Sequence, residues 1–268
     1  METLMLLPRP PPFSLSSRCP PPMDHHCFSR GSSNFRVHCS PLPPAQMVDA
    51  RRTEHKPGPL DDLLLNFFRK KMVQEVGWDS EKPGYDGLME VVNRLMMKGK
   101  SNLETEQSAV RVLKSLFPPF LLVLFKMLIA PISQGKVASL MVARATALSC
   151  QWLMGPCSVN SVSLPDGSSC NSGVFVEKCK YLEESKCVGI CINTCKLPTQ
   201  TFFKDCMGVP LHMEPNFDDY SCQFNFGVHA PLPANDKAAN EPCLEICPNA
   251  NRRRALSNKS VLPQCPKV

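Results

Sequence analysis

Three segments in the first half of the chain repeat apolar residues at the three- and four-residue spacing of an amphipathic helix. They are residues 60–77, 85–99 and 103–117. Asp61 and Asp62 stand where a helix N-terminus favours negative charge, and Gly77 and Gly99 stand where helices commonly end. The pattern therefore predicts a layer of packed helices within a helical region at 60–156.

Two longer apolar stretches follow, at 119–131 and 135–156. The first is shorter than the roughly 20 residues that cross a bilayer, and the second carries Arg144 near its middle. The first interpretation is a pair of buried core helices. The alternative is an apolar groove, or a surface that dips into a membrane to collect an apolar substrate. Neither stretch is predicted to span a membrane.

The second half of the chain changes to shorter patterns. Two stretches alternate with a period of two and predict strands, one beginning at Gly173 and one within 221–229. Residues 158–173 are rich in Ser, Asn and Gly and predict a loop, and 242–247 predicts a last short helix. We therefore predict a mainly α fold with a small cysteine-rich α+β region at 174–250, in which a two-strand element and cysteine-bearing helices follow the helical layer.

The two ends of the chain lack such patterns. Residues 1–40 are rich in Pro, Ser and Arg and hold two acidic residues, Glu2 and Asp24. This composition is typical of an organellar transit peptide, and "FRVHCS" at 35–40 resembles a plastid processing site. The alternative is a proline-rich tail that stays attached. Residues 41–59 predict a disordered linker, and 251–268 predict a basic tail.

Charge and cysteine content narrow the class of protein. The net charge of +6, from 30 basic and 24 acidic side chains, is scattered and predicts no nucleic-acid partner. Cysteine is abundant, with 15 in the chain, most of them after Cys150. In a secreted domain that density indicates disulfides, whereas in an intracellular compartment it more often indicates metal or redox chemistry.

One short run, "KCVGICINTCKLP", spaces three cysteines four residues apart. On an α-helix they would share one stripe, but the outer two would lie about 12 Å apart along the axis. A straight helix therefore cannot bring all three to one small metal site, and two of them are predicted to pair with the C-terminal Cys-x3-Cys. The predicted metal ligands are Cys187, Cys191, Cys195, Cys243 and Cys247, with Cys179, Cys222 and His212 in reserve. The open alternatives are a buried apolar stripe and a disulfide.

Two pairs of adjacent acids are weaker candidates for acid catalysis. Glu183 and Glu184 precede the cysteine run, and Asp218 and Asp219 follow a proline and an asparagine. Each pair also fits an ordinary structural role, a solvated helix end for the first and a turn for the second.

The cysteine run extends into a longer motif, "VEKCKYLEESKCVGICINTCKLPTQTFFKDCMGVPLHMEPNFDDYSCQFNFG", with "PCLEIC" after it. This motif resembles the DWARF-twenty-seven β-carotene isomerase family of plant plastids. A weaker match reaches upstream through "FPPFLLVL" and "WLMGP". Cys206 does not match the family pattern, whereas Cys179, Cys222 and the five predicted ligands do.

The resemblance implies an iron-dependent cis–trans isomerase of a carotenoid double bond, of the all-trans/9-cis-β-carotene type, upstream of strigolactone or other apocarotenoid synthesis. It implies iron, mononuclear or iron–sulfur, and a place in the stroma or peripheral to a plastid membrane. The substrate is then a carotenoid, with peripheral membrane contact as an open question. The alternative function is a non-catalytic plastid module that binds zinc or an iron–sulfur cluster.

Overall fold

The computed structural model describes residues 58–98, 101–248 and 251. The predicted transit peptide, nearly all of the predicted linker and nearly all of the predicted basic tail lie outside the described residues. The first three helices agree with the apolar periodicity to within two residues at each end. They are α1 (Pro59–Val76), α2 (Gly84–Lys98) and α3 (Asn102–Ser115).

The ends of these helices follow from local chemistry. Asp61 accepts a hydrogen bond of 2.7 Å from the backbone N–H of Gly58, which caps the start of α1. Gly77 ends α1 in the left-handed conformation at φ 76°, which glycine adopts without steric cost. Ser101 caps α3 by accepting a bond of 3.2 Å from the backbone N–H of Glu104. The apolar stripes of the three helices then pack on one another around Leu88.

The apolar stretches between 119 and 156 fold as helices, but the first of them is not a core helix. Their elements are α4 (Pro119–Leu124), which continues as a π-helical turn (Phe125–Ile129), a 3-10 turn (Ile132–Gly135), α5 (Lys136–Ser149) and α6 (Gln151–Met154). On 119–129 only Leu122 is buried, so the preferred interpretation of that stretch as a buried helix is wrong. For α5 the interpretation is confirmed, since one face of it is buried.

An antiparallel sheet of four strands occupies the C-terminal region, where the sequence predicted only two strands. The strands are β1 (Cys157–Ser163), β2 (Ser169–Val176), β3 (Leu211–Pro215) and β4 (Cys222–Phe226), in the order β1-β2-β4-β3. The predicted loop at 158–173 is therefore wrong, because it forms the hairpin of β1 and β2. Its polar side chains fit an exposed edge strand.

The face of α5 packs against this sheet and forms a second core. Ala143 on α5, Val174 on β2 and Phe226 on β4 are fully buried in it. Gly173 is required where β1 and β2 meet β4, because a Cβ there would lie 2.0 Å from the side-chain oxygen of Asn160. Two layers result, helices α1–α3 on one side and α5 with the sheet on the other.

A helix of mixed winding lies between the two layers. After α7 (Lys180–Ser185) the chain forms α8 (Val188–Ile190), a π-helical segment (Cys191–Lys196), α9 (Leu197–Thr201) and a second π-helical segment (Phe202–Met207) without a break. We call residues 188–207 the mixed helix. Short π-helical segments inside α-helices occur frequently at functional sites.

The C-terminal end of the described chain is mostly irregular. It forms two 3-10 turns, Pro233–Asn235 and Lys237–Asn240. The predicted helix at 242–247 is wrong, because residues 241–247 form only a turn, closed by a bond of 3.0 Å from the Cys247 N–H to the Leu244 carbonyl. A mainly α fold with a small cysteine-rich α+β region is confirmed, with more sheet and less terminal helix than predicted.

Candidate functional site: a buried cluster of thiols and phenols

Two cysteines lie at the junction of the two cores. Cys179, which precedes α7, and Cys195, in the first π-helical segment, each pack against both hydrophobic clusters. The backbone N–H of Cys179 donates a 2.7 Å bond to the carbonyl of Tyr220, which ties the start of α7 to the β3–β4 turn. The side chains of Cys179 and Cys195 therefore contact both layers.

The three cysteines of the "KCVGICINTCKLP" run do not share one stripe. Cys187 has extended backbone angles, φ −141° and ψ 113°, and lies just before the mixed helix. Cys191 and Cys195 lie in a π-helical segment, whose wider i→i+5 turns change the spacing expected of an α-helix. The run therefore divides its thiols between two groups.

The first group is the pair Cys187 and Cys247. Both side chains are buried, at 3% and 1% exposure, and the two thiols are close enough to interact electrostatically. Burial raises the pKa of the Cys187 thiol to about 11. One thiol of the run therefore lies beside one thiol of the C-terminal Cys-x3-Cys, but a metal site there stays a prediction. The other thiol of that motif, Cys243, is exposed.

The second group consists of Cys179, Cys191, Cys195 and Cys222. Burial is the main cause that raises the pKa of each, to about 12 for Cys195, and neighbouring thiols raise the pKa of Cys191, Cys195 and Cys222 further. The ammonium of Lys196 acts in the opposite direction on the pKa of Cys191 and Cys222. At neutral pH these thiols are therefore protonated.

Two tyrosines complete this group, and sequence reasoning missed both. Tyr85 on α2 donates a bond of 2.7 Å to the carbonyl of Leu153, and Tyr181 on α7 shares one of 2.7 Å with the hydroxyl of Thr194. Burial, and then nearby thiol charges, raise the pKa of both phenols. The chain contains only three tyrosines, and this scarcity was the one feature of the sequence that could have drawn attention to Tyr85 and Tyr181.

A buried ion pair lies on the other side of the group. The ammonium of Lys196 bonds both carboxylate oxygens of Asp236, and the two side chains are only 1% and 8% exposed. Asp236 also accepts a 3.1 Å bond from the Ala238 N–H. This pair fixes the 233–240 segment to the mixed helix beside Cys191 and Cys222.

The described residues do not present a preformed metal site. Within 58–98, 101–248 and 251, no three His, Cys, Asp or Glu side chains are placed to hold one metal ion. Metal binding to thiols also requires their deprotonation, and burial here favours the neutral form. Iron, which the family resemblance implies, would therefore need two or more of these thiols to lose their protons as it binds.

The candidate carboxylates and the reserve histidine lie outside the thiol cluster. Glu183 forms an ion pair with Lys178, and Glu184 is exposed on α7. Asp218 and Asp219 are exposed in the β3–β4 turn, where Asp219 accepts a bond of 2.8 Å from the Ser221 N–H. His212, on β3, is half-buried, with its Nδ1 4.0 Å from a carboxylate oxygen of Glu214.

A cleft of about 780 Å³ opens on another face, between α3, α4 and the second π-helical segment. Apolar side chains form much of its wall, namely Phe117, Leu122, Val123 and Met127. This volume lies within the roughly 300–1,000 Å³ of ordinary small-molecule sites. The cleft thus has the volume and the apolar wall that an apolar ligand needs.

The protonation state of the thiols predicts their reactivity. A pKa about two units above the ordinary value leaves Cys187 with ~100-fold less thiolate at neutral pH, and thiolate is the reactive form. We expect iodoacetamide to alkylate the exposed Cys243 at least ~100-fold faster than Cys187 or Cys191, as measured by peptide mass spectrometry. Equal alkylation rates in the folded protein would contradict the buried, neutral state of Cys187 and Cys191. In denaturant, the three cysteines should be alkylated at similar rates.

Comparisons with known proteins identify the family. The family model described as "Beta-carotene isomerase D27-like, C-terminal" matches residues 152–235, which include the sheet and the mixed helix. The protein from Medicago truncatula named "Beta-carotene isomerase D27, chloroplastic" is 35% identical over 188 residues, or 70% of this chain and 72% of its own. The protein of the same name from Arabidopsis thaliana is 35% identical over 190 residues, or 69% of each chain.

No solved structure matches the chain. Both relatives are named as chloroplastic proteins and as isomerases, which confirms the predicted plastid location and the predicted class of enzyme. Together with the motif around the thiol cluster, the identity across both layers shows that this chain belongs to the D27 family of β-carotene isomerases.

Proposed function

We propose that this protein interconverts cis and trans forms of a carotenoid double bond, of the all-trans/9-cis-β-carotene type, upstream of strigolactone or other apocarotenoid synthesis. The observation that carries the proposal is the 35% identity to two chloroplastic β-carotene isomerases across about 70% of the chain. The identity extends well beyond the matched C-terminal region, so it includes part of the helical layer as well as the thiol cluster.

Isomerisation of a carotenoid double bond places a chemical requirement on the site that catalyses it. Rotation about a polyene double bond requires its bond order to fall temporarily, which loss or gain of one electron or addition of a proton achieves. An apolar, water-free site protects such a reactive species from side reactions. The thiols and phenols at the junction of the two layers lie in apolar surroundings of this kind, whereas the four candidate carboxylates lie on the surface. Because burial raises the pKa of these thiols and phenols, they are weak acids, and their apolar surroundings rather than their acidity support the proposal.

The apolar wall of the cleft supports a polyene binding site. Leu122 is the buried residue of α4, and Val123 and Met127 beside it are exposed at 56% and 67%. A carotenoid hydrocarbon would bury these side chains on binding, and their removal from water favours the complex. The second π-helical segment, which ends the mixed helix, contributes Asp205 and Cys206 to the same cleft.

We also propose that the protein contacts a plastid membrane peripherally. The exposed apolar side chains of 119–129 support such contact, because carotenoids dissolve in bilayers and not in water. No single described helix is long and apolar enough to cross a membrane. The helices Asn102–Ser115 and Pro119–Ile129 together have enough length and apolar character, but the chain bends by 96° between them.

Iron remains a proposal that rests on the family resemblance. Cysteine thiolates are suitable ligands for iron and for zinc, and the pair Cys187 and Cys247 brings together one thiol of the run and one of the C-terminal Cys-x3-Cys. We assign no step to a metal. Elemental analysis of protein expressed with iron and purified without oxygen should show stoichiometric iron. Protein that converts carotenoid without bound metal would overturn the proposal.

The isomerase function has a direct test. The full chain is incubated with all-trans-β-carotene dispersed in detergent, and the extracted carotenoids are separated by chromatography. We expect a cis isomer to increase with time and protein concentration, and not with heat-denatured protein. Folded protein that yields no new isomer from any carotenoid, with or without added iron, would contradict the function and favour a non-catalytic metal-binding module.

A further inference from the structure

The helix at 119–129 presents apolar side chains to solvent along most of its length. We call these side chains the apolar face: Phe120, Leu121, Val123, Leu124, Met127 and Leu128. Their exposed fractions run from 46% for Leu121 to 67% for Met127, so each keeps about half of its surface available to a partner. Exposed apolar patches of this kind mark sites for proteins, membranes or ligands.

The cleft beside the apolar face carries charges that a carotenoid hydrocarbon would not use. Three cations, Arg111, Lys114 and Lys126, line it against one acid, Asp205. Arg111 already forms an ion pair with Glu75 at 2.5 Å. The described residues hold no ion-pair partner for the other two.

The two lysines are placed beside the apolar face and are open to solvent. Lys126 is exposed and lies on the helix of the apolar face, where it donates a bond of 2.6 Å to the backbone carbonyl of Asp205. Lys114 is exposed in the last turn of α3 and meets Val123 and Met127 at the same cleft. Cations at the edge of an apolar helix are the features of a segment that lies in the interface of an anionic membrane.

We propose that the protein binds bilayers that contain anionic lipid, with the apolar face among the acyl chains and an anionic headgroup in the cleft at Lys114 and Lys126. The inference rests on the membrane contact proposed above and specifies its orientation and its lipid. A short apolar helix that lies at 96° to α3 suits this position, since it can enter one leaflet without crossing it. The substrate then enters the cleft directly from the bilayer in which it dissolves.

The test is flotation of the full chain with two kinds of vesicle, pure phosphatidylcholine and an equal mixture of phosphatidylcholine with phosphatidylglycerol. We expect binding to the mixed vesicles to be at least ~25-fold tighter than to the neutral ones, and to be weakened by salt. Each lysine should contribute about fivefold, so Lys114→Gln/Lys126→Gln should lose ~25-fold on mixed vesicles. Leu121→Gln/Leu128→Gln should release the protein from both kinds of vesicle.

Matched controls use exposed side chains of the same types elsewhere in the fold. Leu60→Gln/Leu63→Gln changes two leucines that are each 64% exposed on α1, and Lys70→Gln/Lys237→Gln removes two exposed lysines. Both variants should float like the unchanged protein. If they lose as much binding as the variants at the cleft, or if Lys114→Gln/Lys126→Gln changes nothing, the inference is overturned.

Other occupants of the apolar face give different results. A second copy of the chain would appear as a concentration-dependent dimer in sedimentation, abolished by Leu121→Gln/Leu128→Gln, with no lipid binding, and would overturn the inference. The isomerase assay in detergent does not need a bilayer, so lipid binding without isomerisation separates failure of the enzyme function from failure of this inference. Isomerisation without lipid binding would overturn this inference and leave the enzyme function intact.

Discussion

Lys196→Met should lower the free energy of unfolding by about 3–5 kcal/mol, because it leaves the Asp236 carboxylate buried without its partner. Asp236→Ala should cost a similar amount for the same reason. The two side chains are 1% and 8% exposed, and no solvent reaches them to compensate the lost charge. Urea unfolding followed by circular dichroism measures the change.

The double variant Lys196→Met/Asp236→Asn separates the ion pair from the packing around it. It removes both charges, and Asn keeps a side-chain oxygen for the Ala238 N–H. We expect it to recover most of the lost stability, since an uncharged replacement of a buried pair is often neutral. The exposed pair Lys82 and Glu90 is the control, and Lys82→Met should leave the urea midpoint near that of the unchanged protein. Equal losses at both pairs would contradict the account.

The buried thiols of both groups should make the folded protein less stable in alkali. The pKa of Cys187 and Cys195 is raised from 9.0 to about 11 and about 12, so the folded chain keeps two protons that the unfolded chain releases above pH 9. Their contribution to stability is complete below pH 9 and is lost as the pH rises through 11 to 12. From these two thiols alone we expect a loss of about 3 kcal/mol by pH 10.

The pH profile also distinguishes thiols from thiolates. Cys195→Ala should flatten the alkaline slope, measured as the free energy of unfolding in urea at several pH values, while Cys243→Ala at an exposed position should leave it unchanged. A profile that stays flat to pH 11 in the unchanged protein would contradict neutral thiols. Thiolates already bound to a metal would give that flat profile, and a chelator should then restore the slope.

Local periodicity was sufficient for the helical layer and insufficient for the sheet. Helices α1, α2 and α3 follow from apolar spacing and from caps such as Gly77, all of which are local signals. Strand β1 is polar along much of its length and resembles a loop in sequence. It is a strand because β2 pairs with it, a long-range contact that composition does not report.

The candidate site was predicted in its residue types and not in its arrangement. The cysteines were identified from the sequence, but the extended backbone of Cys187 and the π-helical winding from Cys191 onward depend on packing between two layers. Lysine is rarely buried, and the partner of Lys196 lies 40 residues away, so no local pattern predicts that pair. The surface position of 119–129 was only the second interpretation of the sequence, because apolar content alone does not distinguish a core helix from an exposed one.

The measurement that tests the central claim most directly is the final isomer ratio reached from both sides. The protein is incubated separately with all-trans- and with 9-cis-β-carotene, and the isomers are followed by chromatography and mass spectrometry. A carotenoid isomerase should bring both mixtures to the same ratio with no change in carotenoid mass. Conversion in neither mixture, or products of altered mass, would contradict the account.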